Sequence, residues 1–171
     1  GILIGQEQIT ASLAVQVPGR MDVRPSSGKM IVMDGAHNEQ KTRAFVGSFQ
    51  ERYPGKKVPL LLSLKQDKEY RSVLGLLRGI ADTVIITSFD AMQDLPVPSM
   101  DPQTLADAAT HAGFEQVIVE PDTQKAYQKL LNMPDDMVVI TGSFYLLALV
   151  RMYQRGQKVR AIAAIDDKHG L

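Results

Sequence analysis

Apolar residues along this chain fall into short continuous runs separated by stripes of helical period. Met30-Ile31-Val32-Met33 is one such run and it ends at Asp34-Gly35. A run of this kind predicts a strand covered on both faces. It follows the weakly alternating residues 20–24 and the turn-forming Pro25-Ser26-Ser27-Gly28, so the segment predicts a short hairpin. Thr42, Phe45, Val46, Phe49 and Tyr53 then recur at helical spacing, and Pro54-Gly55 closes that helix.

The alternation continues to the end of the chain. Residues 58–64 predict a strand, and Tyr70, Val73, Leu74, Leu77 and Ile80 mark a helix. Residues 83–87 predict the next strand. Asp101-Pro102 is an N-cap followed by proline at the first helical position, opening a helix through Leu105, Ala108 and Ala109 to Gly113. Residues 117–119 predict a strand, and Asp122 caps a helix through Tyr127, Leu130 and Leu131. Residues 137–140 predict the last strand, and Ser143 opens a helix through Leu146, Leu147 and Val150. About five βα units in series predict an α/β layer fold: a mostly parallel sheet with helices on both faces. The first strand of the hairpin is expected antiparallel at the edge. Residues 1–16 carry no strong signal and read as a linker, residues 17–156 as the folded domain, and residues 157–171 as a tail.

Composition narrows the class of partner. Hydrophobic residues make up 44% and charged residues 22%, the balance of a globular protein. Lys plus Arg and Asp plus Glu are each 19, so the net charge is zero. Nucleic acid and polybasic membrane partners both demand clustered positive charge, so neither is expected. A local basic site for a phosphate or carboxylate is compatible with zero net charge. Cysteine is absent, which excludes disulfides and thiolate metal sites and fits a reducing compartment. The longest apolar run, residues 144–150, is far short of the roughly 20 residues that span a bilayer.

In open α/β sheets, ligands bind at the carboxyl ends of the strands. Polar residues just past each strand are therefore the candidates: Asp34-Gly35-Ala36-His37-Asn38, Asp67-Lys68-Glu69 and Thr141-Gly142-Ser143. Topology predicts that all three open on one edge. Asp34 suits a ribose diol or a metal, and could equally cap the helix that follows. His37 could bind a carboxylate as imidazolium or donate one hydrogen bond when neutral. Lys68, placed at a helix start, either is simply solvated or shares an anion with that helix terminus. Ser143 could help hold an anion or simply cap its helix. Several sharper signatures are missing. There is no G-x-G-x-x-G. Gly28-Lys29 is followed by Met30, and Val23 stands where a P-loop has its first glycine. Ala36 stands where a phosphotransfer site would carry a second acid, and no His or acidic cluster has metal-site spacing.

The landmarks taken together resemble the folylpolyglutamate synthase family of the Mur ligase superfamily. The residues that carry the resemblance are Val17-Pro18-Gly19-Arg20-Met21-Asp22-Val23, the run from Met30 into Asp34-Gly35-Ala36-His37-Asn38, Asp67-Lys68-Glu69, and Val139-Ile140-Thr141-Gly142-Ser143-Phe144-Tyr145-Leu146. Glu39, where proline is common in the family, and Phe144, where leucine is commoner, depart from the pattern. The resemblance implies a Rossmann-like C-terminal domain, with residues 1–16 leading from a central ATP-binding domain that holds the P-loop and the magnesium ligands. It implies ATP and magnesium as cofactors, folate and L-glutamate as substrates, a cytoplasmic location, and ligation of glutamate to folate through an acyl phosphate. Arg20 matches a residue that reaches the ATP phosphates, and Asp34 one that accepts the ribose hydroxyls. His37 and Lys68 match positions implicated in glutamate binding, with Ser143 a further contact. No residue here is a nucleophile, because the substrates themselves react, and the domain alone is expected to be inactive. A bifunctional enzyme that also makes dihydrofolate shares these motifs. A stand-alone nucleotide- or anion-binding module is the alternative from another class.

Overall fold

The computed structural model describes residues 19–90 and 98–156. The expected linker, the expected tail, and Val17-Pro18 of the first landmark lie outside the described residues. Strands β1 (Asp22–Ser26), β2 (Lys29–Asp34), β3 (Leu60–Leu62), β4 (Thr83–Ile86), β5 (Gln116–Val119) and β6 (Met137–Thr141) form one sheet in the order β1-β2-β6-β3-β4-β5. β1 pairs antiparallel with β2 at the edge, and all other pairings are parallel. This is the α/β architecture with one antiparallel edge strand that the periodicity predicts.

The helices are α1 (Glu39–Arg52), α2 (Arg71–Leu77), α3 (Pro102–His111), α4 (Thr123–Leu131) and α5 (Phe144–Gln154). Side-chain alternation divides the core into two layers. Val32, Leu60, Leu62, Val84, Ile86 and Val139 pack with Phe45 and Phe49 of α1, Leu74 and Leu77 of α2, and Leu105 and Ala109 of α3. Ile31, Met33, Leu61, Ile85, Val138 and Ile140 pack on the opposite side with Tyr127 and Leu130 of α4 and Leu146, Leu147 and Val150 of α5. Burial on both faces is why these strands read as continuous apolar runs. No helix among the described residues is long and apolar enough to cross a membrane.

Local chemistry sets the ends of the elements. Asp101 accepts from Thr104 N–H at 2.8 Å, Asp122 from Lys125 N–H at 2.9 Å, and Ser143 from Tyr145 N–H at 3.1 Å, so all three expected caps form. The hairpin differs from expectation. Pairing begins at Asp22 and runs through Pro25 and Ser26, and the turn is only Ser27-Gly28, at φ of 53° and 75°. Pro25 is tolerated because an edge strand leaves one side of its backbone unpaired. Arg20 is thereby left outside the strand. β3 is also shorter than residues 58–64: Pro59 has no N–H to give, and its carbonyl instead accepts from Val139 N–H at 3.0 Å.

Candidate functional site

Asp34, Thr141 and Leu62 lie side by side across β2, β6 and β3. The loops that follow them leave the sheet at one level, so the three sequence clusters do share an edge. The chain after β2 and after β3 passes to α1 and α2 on one face, whereas after β6 it passes to α5 on the other. Crevices therefore flank β6, the topological switch points at which such sheets take ligands. His37 and Lys68 do not follow adjacent strands, because β6 lies between β2 and β3. The same insertion puts the end of β6, which leads to Ser143, between the ends of the strands that lead to them.

Asp34 is the hub of the rim and is 4% exposed. Its Oδ2 accepts from Met21 N–H at 2.9 Å and its Oδ1 from Ala36 N–H at 2.8 Å. Gly35 N–H donates to Gly19 C=O at 2.9 Å. These bonds fasten the Gly19-Arg20-Met21 turn, in which Gly19 has φ 79° and Met21 φ 41°, onto the end of β2. Arg20 Nη1 stands 3.7 Å from Asp34 Oδ1. Burial pushes the Asp34 carboxyl above its ordinary pKa, opposed by the Met21 and Ala36 N–H groups and the Arg20 charge. Asp34 is not the cap of α1. That role belongs to Asn38, whose Oδ1 accepts from Lys41 N–H at 3.0 Å.

His37 has both ring nitrogens engaged. Nδ1 meets Gly35 C=O at 2.8 Å and Nε2 meets Lys41 Nζ at 3.2 Å. An ammonium only donates, so Nε2 is the acceptor and Nδ1 carries the proton. Burial lowers the His37 pKa, and the charges of Lys41, Lys68 and Arg20 lower it further against the Gly35 hydrogen bond. Four basic side chains thus converge on one edge of a chain with zero net charge. Lys68 sits in the turn before α2, with Nζ 2.8 Å from Asp67. The α2 terminus itself is capped by the Glu69 carboxylate, which accepts from Arg71 and Ser72 N–H.

Lys41 escaped the sequence reading. It lies in the first turn of α1, three residues after the Asn38 cap, from where its side chain reaches back to His37. Lys65 and Tyr145 form a cation–aromatic contact at this edge. Lys65 Nζ lies 5.2 Å from the Tyr145 ring centroid, and Tyr145 packs against Phe89 at 6.0 Å. An open cleft of about 340 Å³ runs between the rim and α1, lined by Arg20, Met21, Asp34, Lys41, Ala44, Phe45 and Ser48. Among the described residues no group of three or more His, Asp or Glu side chains is placed to hold a metal ion.

The chain is thus a doubly wound α/β domain with a basic rim at its switch points. Residues 19–144 match the family described as Mur ligase, glutamate ligase domain, and the chain belongs to that family. It is 26% identical over 156 residues to dihydrofolate synthetase of Saccharomyces cerevisiae, covering 84% of this chain and 36% of that protein. It is 27% identical over 141 residues to folylpolyglutamate synthase of Lacticaseibacillus casei, covering 82% of this chain and 30% of that protein. The bifunctional folylpolyglutamate synthase/dihydrofolate synthase of Yersinia pestis, solved with AMPPNP and a manganese ion, superposes with a TM-score of 0.73 at 20% identity, over 90% of this chain and 35% of that one. The chain spans about a third of the length of the curated relatives it matches.

Proposed function

We propose that this chain is the glutamate-delivering part of an ATP-dependent folylpolyglutamate synthase, completed by an ATP-binding domain that carries the P-loop. The observation that carries the reading is the gathering of the cations Arg20, Lys41 and Lys68 around a neutral His37 on one rim of a net-neutral chain. A reaction that joins a phosphorylated carboxylate to glutamate must gather several anions in one place, and that requires local positive charge and pre-set geometry. Family membership and the Lacticaseibacillus casei relative support the same reading.

In this mechanism ATP phosphorylates the terminal carboxylate of the folate, giving an acyl phosphate and ADP. The glutamate amine, freed of its extra proton, attacks the acyl carbon. The tetrahedral intermediate then expels phosphate and leaves an amide. Arg20 offers a planar guanidinium to the phosphates. The cleft beside α1 receives the nucleoside, and Asp34 uses the lone pairs left over from Met21 and Ala36 to accept the ribose hydroxyls. Lys68 and Ser143, on the two sides of the β6 crevice, meet the glutamate carboxylates. His37, neutral and turned toward Lys41, takes part in that site jointly with Lys41. Magnesium, with ligands supplied from outside these residues, neutralises phosphate charge when bound.

The yeast relative favours a second reading, in which the acceptor is dihydropteroate. One assay separates the two. The intact protein is given ATP and glutamate with either a folyl glutamate or dihydropteroate, and ADP release is followed. Glutamate-dependent release with the folyl glutamate supports the first reading, release with dihydropteroate alone supports the second, and release with neither overturns both.

A further inference from the structure

We infer that Phe144 is the positioning residue for Arg20: its ring is the platform on which the guanidinium lies, aimed at the phosphate that the Arg20 rim receives. The inference rests on the reading of Arg20 as a phosphate ligand.

The ring has no other evident task. Phe144 is the first residue of α5 and is 43% exposed, whereas that helix anchors in the core through Leu146, Leu147 and Val150. An aromatic side chain left this open gives up much of its hydrophobic contribution. What it does contact is the rim. The Arg20 guanidinium carbon lies 5.0 Å from the ring centroid, within the range of a cation–π contact. The His37 ring meets it edge-on, with centroids 6.4 Å apart and planes at 67°.

Two glycines make room for the ring. A Cβ on Gly35 would stand 2.6 Å from Phe144 ring atoms, and one on Gly19 would stand 3.0 Å away. Any side chain in these two turns would displace the ring from beneath Arg20. The platform is needed because the Arg20–Asp34 ion pair, at 3.7 Å, is too long to be a hydrogen bond and does not orient the guanidinium. Among the described residues no carbonyl or carboxylate takes a hydrogen bond from Arg20. A flat face under the guanidinium limits its tilt and leaves its N–H edge free for a phosphate, the arrangement that favours bidentate binding. An aliphatic side chain of similar bulk would fill the slot without offering a π face.

The test is a double-mutant cycle on the intact protein with its ATP-binding domain, reading the Kd of a non-hydrolysable ATP analogue by calorimetry. Phe144→Leu is expected to weaken binding about fivefold, or about 1 kcal/mol. Phe144→Tyr keeps a π face and should restore wild-type affinity, which a mere loss of packing would not predict. In an Arg20→Ala background Phe144→Leu should add nothing. If Arg20→Ala weakens binding and Phe144→Leu does not, or if the two losses add, the platform role is overturned. If Arg20→Ala itself binds normally, the phosphate reading of Arg20 falls, and the inference with it.

Discussion

Lys41 Nζ lies 3.2 Å from His37 Nε2, and that contact adds to burial in disfavouring a second proton on the ring. A second proton on the ring would bring two cations face to face at hydrogen-bond distance, with Lys68 and Arg20 adding to the repulsion. The folded protein therefore resists protonating His37, while the unfolded chain does not.

A pH dependence follows from that resistance. The folded-state pKa lies below the ordinary value of 6.5, so between the two values the unfolded chain binds more protons than the folded one. The contribution of His37 to stability is complete above the ordinary value and declines as pH falls below it. Urea midpoints compared at about pH 7.5 and about pH 5.5 should show a smaller acid loss for His37→Gln than for the wild type. Equal losses would mean that the ring already carries its second proton in the fold.

Lys68→Ala or His37→Ala in the intact enzyme should raise the glutamate KM at least about tenfold, or about 1.4 kcal/mol, with the ATP KM nearly unchanged. Steady-state kinetics with each substrate varied in turn reads this directly. Wild-type glutamate KM in both variants would return these residues to ordinary surface groups.

Asp34→Asn should impair ATP use more than glutamate use. A charged acceptor facing a ribose diol contributes about 1.5–3 kcal/mol, and the amide would also turn an N–H toward one of the two backbone donors. ATP and glutamate kinetics measured on the same variant decide it: a raised glutamate KM with normal ATP kinetics would move Asp34 into the amino-acid site.

Asp22 ties the edge hairpin to the last helix. It is 1% exposed and pairs with Arg24 at 2.8 Å and Arg151 at 2.7 Å. Burial alone would push its carboxyl up, but the hydrogen bonds and charges of those arginines outweigh this and hold it below the ordinary value. Its contribution is present above that ordinary value and is lost as pH falls through the lower folded one. Arg151→Ala should destabilise by about 1–3 kcal/mol and move the acid-unfolding midpoint to higher pH. Circular dichroism during acid titration measures that shift, and an unmoved midpoint would show the pair to be dispensable.

Gly142 is held at φ 101°, and a Cβ there would run into the carbonyl of Ser63 at the end of β3. Gly142→Ala should cost about 1–3 kcal/mol in backbone strain, with the clash added to it. A melting temperature close to wild type would mean that the β6 loop can relax away from β3.

The chemistry of the rim was legible where it depended on neighbours in sequence. The caps at Asp101, Asp122 and Ser143 follow from residue type and position before a helical stripe. The shared edge for Asp34, Lys68 and Ser143 follows from parallel strands alone, because every loop after such a strand leaves from the same side. His37 was legible as a candidate, but its proton position was not: that depends on Gly35 and Lys41 arriving at its two nitrogens from opposite sides. Phe144 read only as a departure from a pattern, since nothing in its neighbours along the chain places Arg20 above it.

The sequence by itself determined the elements, the two-faced burial of the central strands and the edge on which the polar loops gather. Each of these follows from periodicity over a few residues and from the pleat that turns alternate side chains to opposite faces. Only the tertiary structure decided that β6 enters between β2 and β3. Strand order depends on pairings between segments about a hundred residues apart, and a continuous apolar strand can pair on either side with any other of its kind. That insertion sets the end of β6 between those of β2 and β3 and brings Phe144 beneath Arg20.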